Sequence, residues 1–437
     1  MSIYNLVSLL GILVLMLLAW SFSNDKKNLN WRVIGWAVAM QLIWAAFIFA
    51  FPAGTKLFLF LNGIIIKVMD SAAAGARFVF GRLAIPVGGV GDNGEPSLGF
   101  ILAFQAFPTI IFFSAVISIL YFYNIMQMLI RGFAYLFTRF MRISGAESLA
   151  SASNIFLGIE SNLTIRPHLD NMTRSELCTV LTAGMATVSS NIMALYIFSL
   201  KGQFPTIAGH LMSASILSAP AALVMSKLIC PEKDHPKTLG LHIQPHYEKD
   251  NNLFEAIING ANAGVRMIVG ITALLIAVLG LLGIFDLALG WFGSGINKFL
   301  HISFVWTLQN ILGYVFYPIA VILGVPLQDA GTVARIVGER TIVTEVVAYQ
   351  DLAAVLSKGL LRDPRSAVIT VYALCGFAHF ASMAIFVGAV SALAPKRTRD
   401  ISAIAFRALA AATLACLMTA CVAGVFFNAN GTILLGK

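Results

Sequence analysis

Eight long apolar stretches dominate the pattern of hydrophobic and polar residues along the chain. A helix needs about 20 apolar residues to cross the hydrocarbon core of a bilayer. The candidate spans lie at 4–22, 33–53, 100–123, 176–199, 205–226, 260–288, 366–393 and 403–426. Stretches at 54–99, 124–143 and 303–325 mix apolar, aromatic and polar residues. They predict helices that lie in the membrane interface, the first of them followed by an exterior loop.

Two further segments, 145–172 and 326–362, are helical in pattern yet too polar to face lipid. An ionisable group at membrane depth costs several kcal/mol unless it faces protein or water. These segments therefore predict re-entrant helical hairpins that meet inside the protein. We expect Glu160 and Glu345 to end the first arms of the two hairpins and to converge on one aqueous cavity.

The order of these elements repeats. Span, interfacial helix, hairpin, span, span occurs in 100–226 and again in 260–426, with inverted topology because an odd number of crossings separates the two starts. Inverted repeats with interrupted helices are typical of secondary transporters. Residues 1–99 then form scaffold helices with two spans and a surface segment, 227–259 a cytoplasmic loop, and 427–437 a C-terminal tail. The predicted fold is an all-α integral membrane protein with eight transmembrane helices, two re-entrant hairpins and interfacial helices.

Composition and charge agree with a membrane protein. Of the 437 residues 59% are hydrophobic and 11% are charged, whereas roughly a quarter are charged in a soluble domain. Basic residues cluster after the first and third spans and before the last, on one side of the membrane. The positive-inside rule makes that side cytoplasmic. We expect a multi-pass protein of a bacterial inner membrane with both termini periplasmic.

Other classes of function have no support in the sequence. The net charge of +9 is not concentrated in a basic patch interleaved with aromatic residues, so nucleic-acid binding is not expected. No HExxH motif, glycine-rich phosphate loop or nucleophile elbow occurs. The five cysteines show no CxxC pair. We predict neither an enzyme nor a bound cofactor.

Three motifs resemble the concentrative nucleoside transporter family, of the bacterial sodium/nucleoside cotransporter type. They are GAESLASASNIFLGIESNLTIRP at 145–167, GERTIVTEVVAY at 338–349, and the stretch 374–397, which begins LCGFAH and ends APKR. The first two are similar to that family's hairpins and the third to its penultimate span. The resemblance covers nearly the whole chain. It implies a homotrimer, each protomer with a scaffold and a mobile transport domain, and nucleoside uptake driven by a cation gradient.

The resemblance also implies a sodium site between the first hairpin and the broken helix that follows it. By position, Asn154 and Thr187 would supply side-chain oxygens, and Leu157 and Val188 would supply carbonyls. The polar run 187–191 interrupts an apolar helix and would support an unwound stretch. The alternative is that these small polar groups only join helices to each other. We favour sodium over protons or no coupling.

The family's solute site is built from the two hairpin tips and the broken penultimate helix. Carboxylates or amides suit the hydroxyls of a nucleoside, and an apolar wall suits its base. Carried over by position, the solute-binding residues are Glu160, Ile192, Thr344, Glu345, Phe377, His379 and Ser382.

This chain departs from the family's pattern at each part of that site. The usual first tip reads Gly-Gln-Thr-Glu-Ala-Pro, whereas 158–162 reads Gly-Ile-Glu-Ser-Asn, one residue shorter and without Gln or Pro. The usual Asn-Glu-Phe is Thr-Glu-Val at 344–346, and the usual Asn of the penultimate span is His379. The carboxylate for the ribose is retained but the amide for the base is lost. We expect a base preference unlike the usual uridine-type pattern.

The sequence thus predicts a secondary active symporter that imports nucleosides or close analogues on a sodium gradient by elevator-type alternating access. One alternative is a proton-coupled importer of the same or a related polar solute. His379 bears on that choice, because it either hydrogen-bonds as a neutral side chain or titrates near neutral pH. A passive channel is less favoured, because inverted repeats suit alternating access.

Overall fold

The chain is almost entirely helical in a computed structural model that describes residues 2–91, 94–247 and 249–428. The first half contains α1 (Ile3–Ser21), α2 (Trp31–Ala50), α3 (Pro52–Phe80), α4 (Leu102–Gln105), α5 (Phe107–Phe122), α6 (Ile125–Met141), α7 (Gly145–Asn154), α8 (Ser161–Thr164), α9 (Arg174–Ala186), α10 (Ser190–Leu200) and α11 (Ile207–Ile229). The second half contains α12 (Leu253–Leu300), α13 (Leu308–Ile322), α14 (Leu327–Ile342), α15 (Glu345–Ser357), α16 (Pro364–Leu374), α17 (Phe380–Leu393) and α18 (Thr398–Phe426). The all-α membrane fold is confirmed.

Eight helices within the described ranges are long and apolar enough to cross a membrane. Seven of them coincide with predicted spans. The eighth is Pro52–Ala84, which we had assigned to the interface. The predicted span 366–393 is instead two shorter helices, because the chain breaks between α16 and α17.

The predicted loop at 227–259 is shorter in the structure. It covers 230–252, because α11 continues to Ile229 and α12 begins at Leu253. Of the predicted tail, 427–437, the part from residue 429 onward lies outside the described residues.

Both polar segments fold back on themselves. Hairpin 1 (145–171) has α7 as its first arm and an irregular second arm made of α8 and a short 3₁₀ helix. Hairpin 2 (327–357) is a regular pair, α14 and α15. That these hairpins enter the membrane from one side remains a prediction.

The two glutamates do not end the first arms as we expected. Glu160 lies in the turn after α7, and Glu345 is the first residue of α15. The side chain of Thr344 accepts the backbone N–H of Val347, which starts α15 at Glu345. A carboxylate in the first turn also interacts favourably with the helix dipole.

Two helices are interrupted: the first within the polar run 187–191, as predicted from its residues, and the second in the penultimate span, where only the family resemblance implied a break. The chain leaves helical geometry at 187–189, between α9 and α10, and at 375–379, between α16 and α17. In the second break Gly376 has φ +117°, a conformation that other residues rarely adopt. Each break leaves backbone groups without partners in their own helix.

The helix α12 packs mainly on α5, and α5 in turn contacts α3 and α10. Gly260 and Gly264 of α12 let it approach α5 closely, against Ser114 and Ile111. By contrast α1 packs on α18, and α2 packs on α11, within the body that carries both broken helices. The assignment of 1–99 as scaffold therefore stays a prediction, and its first two helices pack away from the α5–α12 pair.

A buried ion pair fixes the start of hairpin 1. Lys227 Nζ of α11 lies 2.7 Å from Glu147 Oε1 of α7, in ion-pair contact although not aligned as a hydrogen bond. The same ammonium donates to Ser175 Oγ of α9 at 2.9 Å. The side chains of Lys227 and Glu147 are 5% and 1% exposed. The pair therefore joins α7, α9 and α11 where water does not screen it.

Replacing Glu147 by Ala should destabilise the protein strongly, because the buried Lys227 ammonium loses its close carboxylate and keeps only the more distant one of Glu232, 3.6 Å away. We expect a loss of about 3–5 kcal/mol, measured as thermal unfolding of the purified protein in detergent. The double substitution Glu147→Leu with Lys227→Met should recover most of that loss, since it removes both charges. Asp70→Ala, which breaks an exposed pair with Lys201, is the control and should cost less than about 1 kcal/mol. Equal effects of Glu147→Ala and Asp70→Ala would contradict the argument.

Candidate functional site

The helices α15 and α17 begin in the same region of the protein, beside the second turn of α10. The first residues of α15 contact α10 through Glu345 and Tyr196, and contact the start of α17 through Glu345 and His379. The N-terminus of a helix carries partial positive charge and free backbone N–H groups. This region therefore favours a carboxylate and a polar ligand.

Glu345 is held on one side only. Its Oε1 accepts a hydrogen bond from the Tyr196 hydroxyl at 2.7 Å. Its Oε2 lies 2.7 Å from His379 Nε2, but the groups are not aligned and Oε2 has no hydrogen-bond partner among the described residues. Glu345 is 4% exposed. A buried carboxylate oxygen without a donor is unusual in a folded protein and marks a place for one.

His379 links this carboxylate to α17. Its Nδ1 accepts the backbone N–H of Ser382 at 3.3 Å and so caps the helix. Its Nε2 lies 2.6 Å from Ser382 Oγ. Because Nδ1 accepts a hydrogen bond, we assign the ring proton to Nε2 and a neutral imidazole.

A cavity of about 520 Å³ lies beside these groups, within the size range of small-ligand pockets. Its polar wall contains Glu160, Ser189 and Ser382. The hydroxyl of Ser189 has no hydrogen-bond partner among the described residues. The apolar wall contains Ile159, Ile192, Met267, Ile271, Leu274, Phe377, Ile385 and Phe386.

Four of the predicted solute residues line this cavity together: Glu160, Ile192, Phe377 and Ser382. The other three lie outside its wall. Glu345 and His379 are reached through Ser382, and Thr344 caps α15. The two glutamates thus do not share one cavity wall as expected, because Glu345 is one hydrogen-bonded layer behind it. The binding roles of all seven residues stay predictions.

A second cavity, of about 360 Å³, meets Glu160 from the other side. It lies between hairpin 1, α5 and the loop after α11, with Leu157, Thr164, Tyr121 and Tyr247 among its lining residues. Glu160 therefore stands between a cavity bounded by the broken helices and one bounded by the 230–252 loop.

The tip of hairpin 1 is fastened to the break between α9 and α10. Ser215 Oγ of α11 donates to the carbonyl of Ile155 at 2.6 Å and lies 3.4 Å from the carbonyl of Val188. Ser190 donates to the carbonyl of Phe156 through both its side chain and its backbone, at 2.9 and 3.0 Å. Backbone oxygens from two unwound segments are thus brought together.

All four predicted sodium ligands lie in these two joined segments. Asn154 Oδ1 accepts from Ser161 Oγ at 2.8 Å, and the Thr187 hydroxyl donates to the backbone of its own helix, so both oxygens keep a lone pair. The carbonyls are those of Leu157 and Val188. No group of three His, Cys, Asp or Glu side chains suitable for a metal occurs in the described parts of the chain. The neutral oxygens that are present suit a sodium ion.

Two contributors gave no signal in the sequence. Tyr196, which donates a hydrogen bond to Glu345, lies within an apolar helix, where the sequence alone predicts an ordinary core aromatic residue. Ser215, which joins the two unwound segments, lies among other small residues of α11. Only the packing of α10 against α15, and of α11 against hairpin 1, gives them their partners.

The two helix breaks cross each other at Gly376. A Cβ atom at this position would lie 2.6 Å from the carbonyl oxygen of Ala186, the last residue of α9. It would also lie 2.7 Å from Cys416 Sγ of α18. Only glycine permits this approach, and its φ of +117° independently favours glycine.

Three family profiles match the chain, each as one segment. They are described as the Na⁺ dependent nucleoside transporter N-terminus, matching residues 10–83, a nucleoside recognition "Gate", matching 103–203, and the Na⁺ dependent nucleoside transporter C-terminus, matching 210–424.

Curated proteins are also similar to this chain over nearly its whole length. Solute carrier family 28 member 3 of Mus musculus is 36% identical over 435 residues, covering 96% of this chain and 59% of the mouse protein. This chain thus spans about three fifths of that relative's length. A protein of Haemophilus influenzae named only as an uncharacterized transporter is 36% identical over 441 residues, covering 98% of this chain and 99% of that one.

Solved structures with the same fold include CNTnw in an inward-facing substrate-bound state. It is 31% identical, with a TM-score of 0.84, and the match covers 99% of each chain. A variant of CNTnw in an outward-facing state gives 30% identity and a TM-score of 0.85, over 97% of this chain and 98% of that one.

Replacing Gly376 by Ala should force the two helix breaks apart, because its methyl group would overlap the Ala186 carbonyl and the Cys416 thiol. We expect a destabilisation of at least about 1–3 kcal/mol, seen as a lower thermal midpoint. Gly388→Ala is the matched control, since α17 leaves open space at that position and alanine favours a helix. A Gly376→Ala protein as stable as the Gly388→Ala protein would refute the close crossing.

Proposed function

Because the chain belongs to the concentrative nucleoside transporter family, we propose that it is a symporter that imports nucleosides or close nucleoside analogues on a sodium gradient. The proteins of this family are transporters and not enzymes, and this chain is a multi-pass membrane protein like them. The observation that supports the proposed solute is the cavity of about 520 Å³ with Glu160 and Ser382 in its wall and Glu345 behind them.

The ribose of the solute would bind on the Glu345 side. Its hydroxyls donate hydrogen bonds, and Glu345 Oε2 is a buried acceptor with no aligned donor among the described residues, although His379 Nε2 lies beside it. A hydrogen bond to an ionised carboxylate is roughly twice as strong as one between neutral groups. A rotation of Ser382 away from His379 would open the path to this oxygen, since Ser382 alone of the three lines the cavity.

The base would bind against an apolar surface. Ile159 stands at the tip of hairpin 1, and Ile192 and Phe377 complete this part of the wall. None of these side chains donates or accepts a hydrogen bond, so the site would hold a base by burial more than by reading its polar edge. We therefore propose a base preference unlike the uridine-type pattern of the family.

Sodium would bind where hairpin 1 meets the break between α9 and α10, with Asn154, Leu157, Thr187 and Val188 as ligands. An ion there would bridge the Leu157 and Val188 carbonyls across the junction that Ser215 and Ser190 already fasten through neighbouring carbonyls. Glu160 belongs to the same hairpin tip. Sodium binding would thereby order one wall of the solute cavity, which is the proposed basis of coupling.

The movement we propose is of the elevator type. The body that carries both hairpins and both broken helices would slide past a static α5–α12 pair. Met267, Ile271 and Leu274 of α12 face the cavity with apolar side chains, so no directional bond there opposes sliding. The inverted repeats at 100–226 and 260–426 would supply the two end states.

The outer face of α12 would form a homotrimer. Ile276, Leu287 and Trp291 on this helix are more than 70% exposed in the single chain, as either lipid or a neighbouring protomer would require. A bacterial inner membrane with both termini periplasmic completes the proposal.

A proton-coupled importer is the second candidate, because His379 is a titratable group 2.7 Å from Glu345. Protonation of both ring nitrogens would break the cap that Nδ1 makes with Ser382. The hydrogen-bonding pattern thus favours the neutral ring and sodium as the coupling ion.

Purified protein in proteoliposomes should accumulate a nucleoside against its gradient only when sodium is higher outside. Glu345→Gln should weaken solute binding about 10- to 100-fold, because it removes a charged acceptor worth about 1.5–3 kcal/mol. A panel of purine and pyrimidine nucleosides would define base preference. Glu95→Gln, at an exposed loop residue, is the matched control and should transport normally. Equilibration without accumulation would indicate a channel and contradict the proposal, and a strict uridine preference would contradict the proposed base subsite.

Uptake at constant sodium should change little between pH 6 and pH 8 if His379 acts as a neutral hydrogen-bonding group. The test measures initial rates across this range (about two pH units around neutrality, where histidine titrates) for the native chain and for His379→Asn. A strong pH dependence that disappears in His379→Asn would instead establish proton coupling through this side chain.

A further inference from the structure

Arg340 is a fully buried cation with few partners. It lies in the last turn of α14 and is 0% exposed. Its Nη1 donates to the carbonyl of Ala373 at 2.7 Å. Its Nε and Nη2 have no hydrogen-bond partner among the described residues, and no carboxylate in the described ranges lies within 4.0 Å of it in an ion pair. A buried charge in this situation needs some other source of stabilisation.

A second buried arginine shows how different this arrangement is. Arg365 is 2% exposed, and its guanidinium donates to Gly324, Asn5, Tyr4 and Ser8 at 2.6 to 3.1 Å. Arg365 joins α1, α16 and the loop before hairpin 2 in the manner of an ordinary structural arginine. Arg340 has one such bond.

Helix C-termini surround the Arg340 guanidinium. The Ala373 carbonyl belongs to the last turn of α16, and Arg340 itself stands in the last turn of α14. The guanidinium also lies beside the thiol of Cys416, which contacts the carbonyl of Ala186 at the end of α9 at 3.6 Å. The C-terminus of a helix carries partial negative charge, so three ends of this kind favour a cation here.

The position of Arg340 has a counterpart in the first repeat. Asn154 is the last residue of α7, the first arm of hairpin 1, whose tip is joined to the broken helix α9–α10 through the Phe156 carbonyl. Arg340 is in the last turn of α14, the first arm of hairpin 2, and bonds to the broken helix α16–α17. The two residues occupy equivalent places in the inverted repeats, one at the proposed ion site and one with a fixed positive charge.

We propose that Arg340 is a tethered cation that occupies, in the second repeat, the place that the coupling ion takes in the first. Its charge holds hairpin 2 on α16 whether or not sodium is bound, so only hairpin 1 depends on a dissolved ion. The comparison between repeats rests on the proposed sodium site. The charge requirement at Arg340 does not, and it is tested without any solute.

The direct test removes the Arg340 side chain by substitution and then adds a small cation to the solution in its place. Arg340→Ala should lower the thermal midpoint of the purified protein, and millimolar guanidinium or sodium should raise it again relative to choline at equal ionic strength. Neither the native chain nor Arg365→Ala should show this additional cation response. Arg365→Ala is the matched control because it also empties a buried arginine site, but one built from specific hydrogen bonds.

Arg340→Lys and Arg340→Gln carry the test if the alanine variant does not fold. The lysine variant keeps the charge and should keep the sodium response of the native chain. The glutamine variant should be less stable and should gain a second, cation-dependent increase in thermal midpoint. Equal stability and sodium response in these two variants would overturn the proposal, as would an alanine variant that no cation restores beyond the native response. Because the readout is stability, these results are separable from a failure of nucleoside import.

Discussion

Two helices that stop and restart inside an apolar body constrain the rest of the structure. Each break leaves carbonyls and N–H groups that an apolar environment cannot satisfy. The chain supplies partners from other elements: Ser215 of α11 and the Phe156 carbonyl of hairpin 1 at the first break, and Arg340 of hairpin 2 at the second. These partners come from hairpins and neighbouring helices, so satisfying the breaks also assembles the site.

The helix ends also create two regions of opposite preference for charge, one at helix N-termini and one at helix C-termini. The helices α15 and α17 begin around Glu345, where a negative group is favoured. The helices α14 and α16 end around Arg340, where a positive group is favoured, and the end of α9 contacts the neighbouring Cys416. Glu345 and Arg340 are only five positions apart in the sequence, on either side of the turn in hairpin 2. That turn therefore places opposite charges at opposite kinds of helix end, and reversing either charge would oppose the local dipoles.

Hydropathy alone predicted seven of the eight candidate spans, and charged residues within two segments at membrane depth predicted the two helical hairpins. Both signals come from residues that are close together in the sequence. The helix Pro52–Phe80 was harder to assign from the sequence, because its several polar residues are compatible with an interfacial helix as well as with a spanning one. The register at Glu345 depends on the Thr344 cap, a local signal that we did not use. The contact of Tyr196 with Glu345 joins residues 149 positions apart and has no local signal at all.

The distribution of polar contacts bears on how such a protein moves. The body with the hairpins is held by ion pairs and hydrogen bonds, including the buried ion pair of Lys227 and Glu147 and the four hydrogen bonds of Arg365. Toward the solute cavity, α12 presents Met267, Ile271 and Leu274 instead. Hydrophobic contact is non-directional and tolerates displacement along the interface, whereas hydrogen bonds and ion pairs fix one register. These contacts therefore oppose sliding least between α12 and the body that carries the broken helices, at the cavity proposed for the solute.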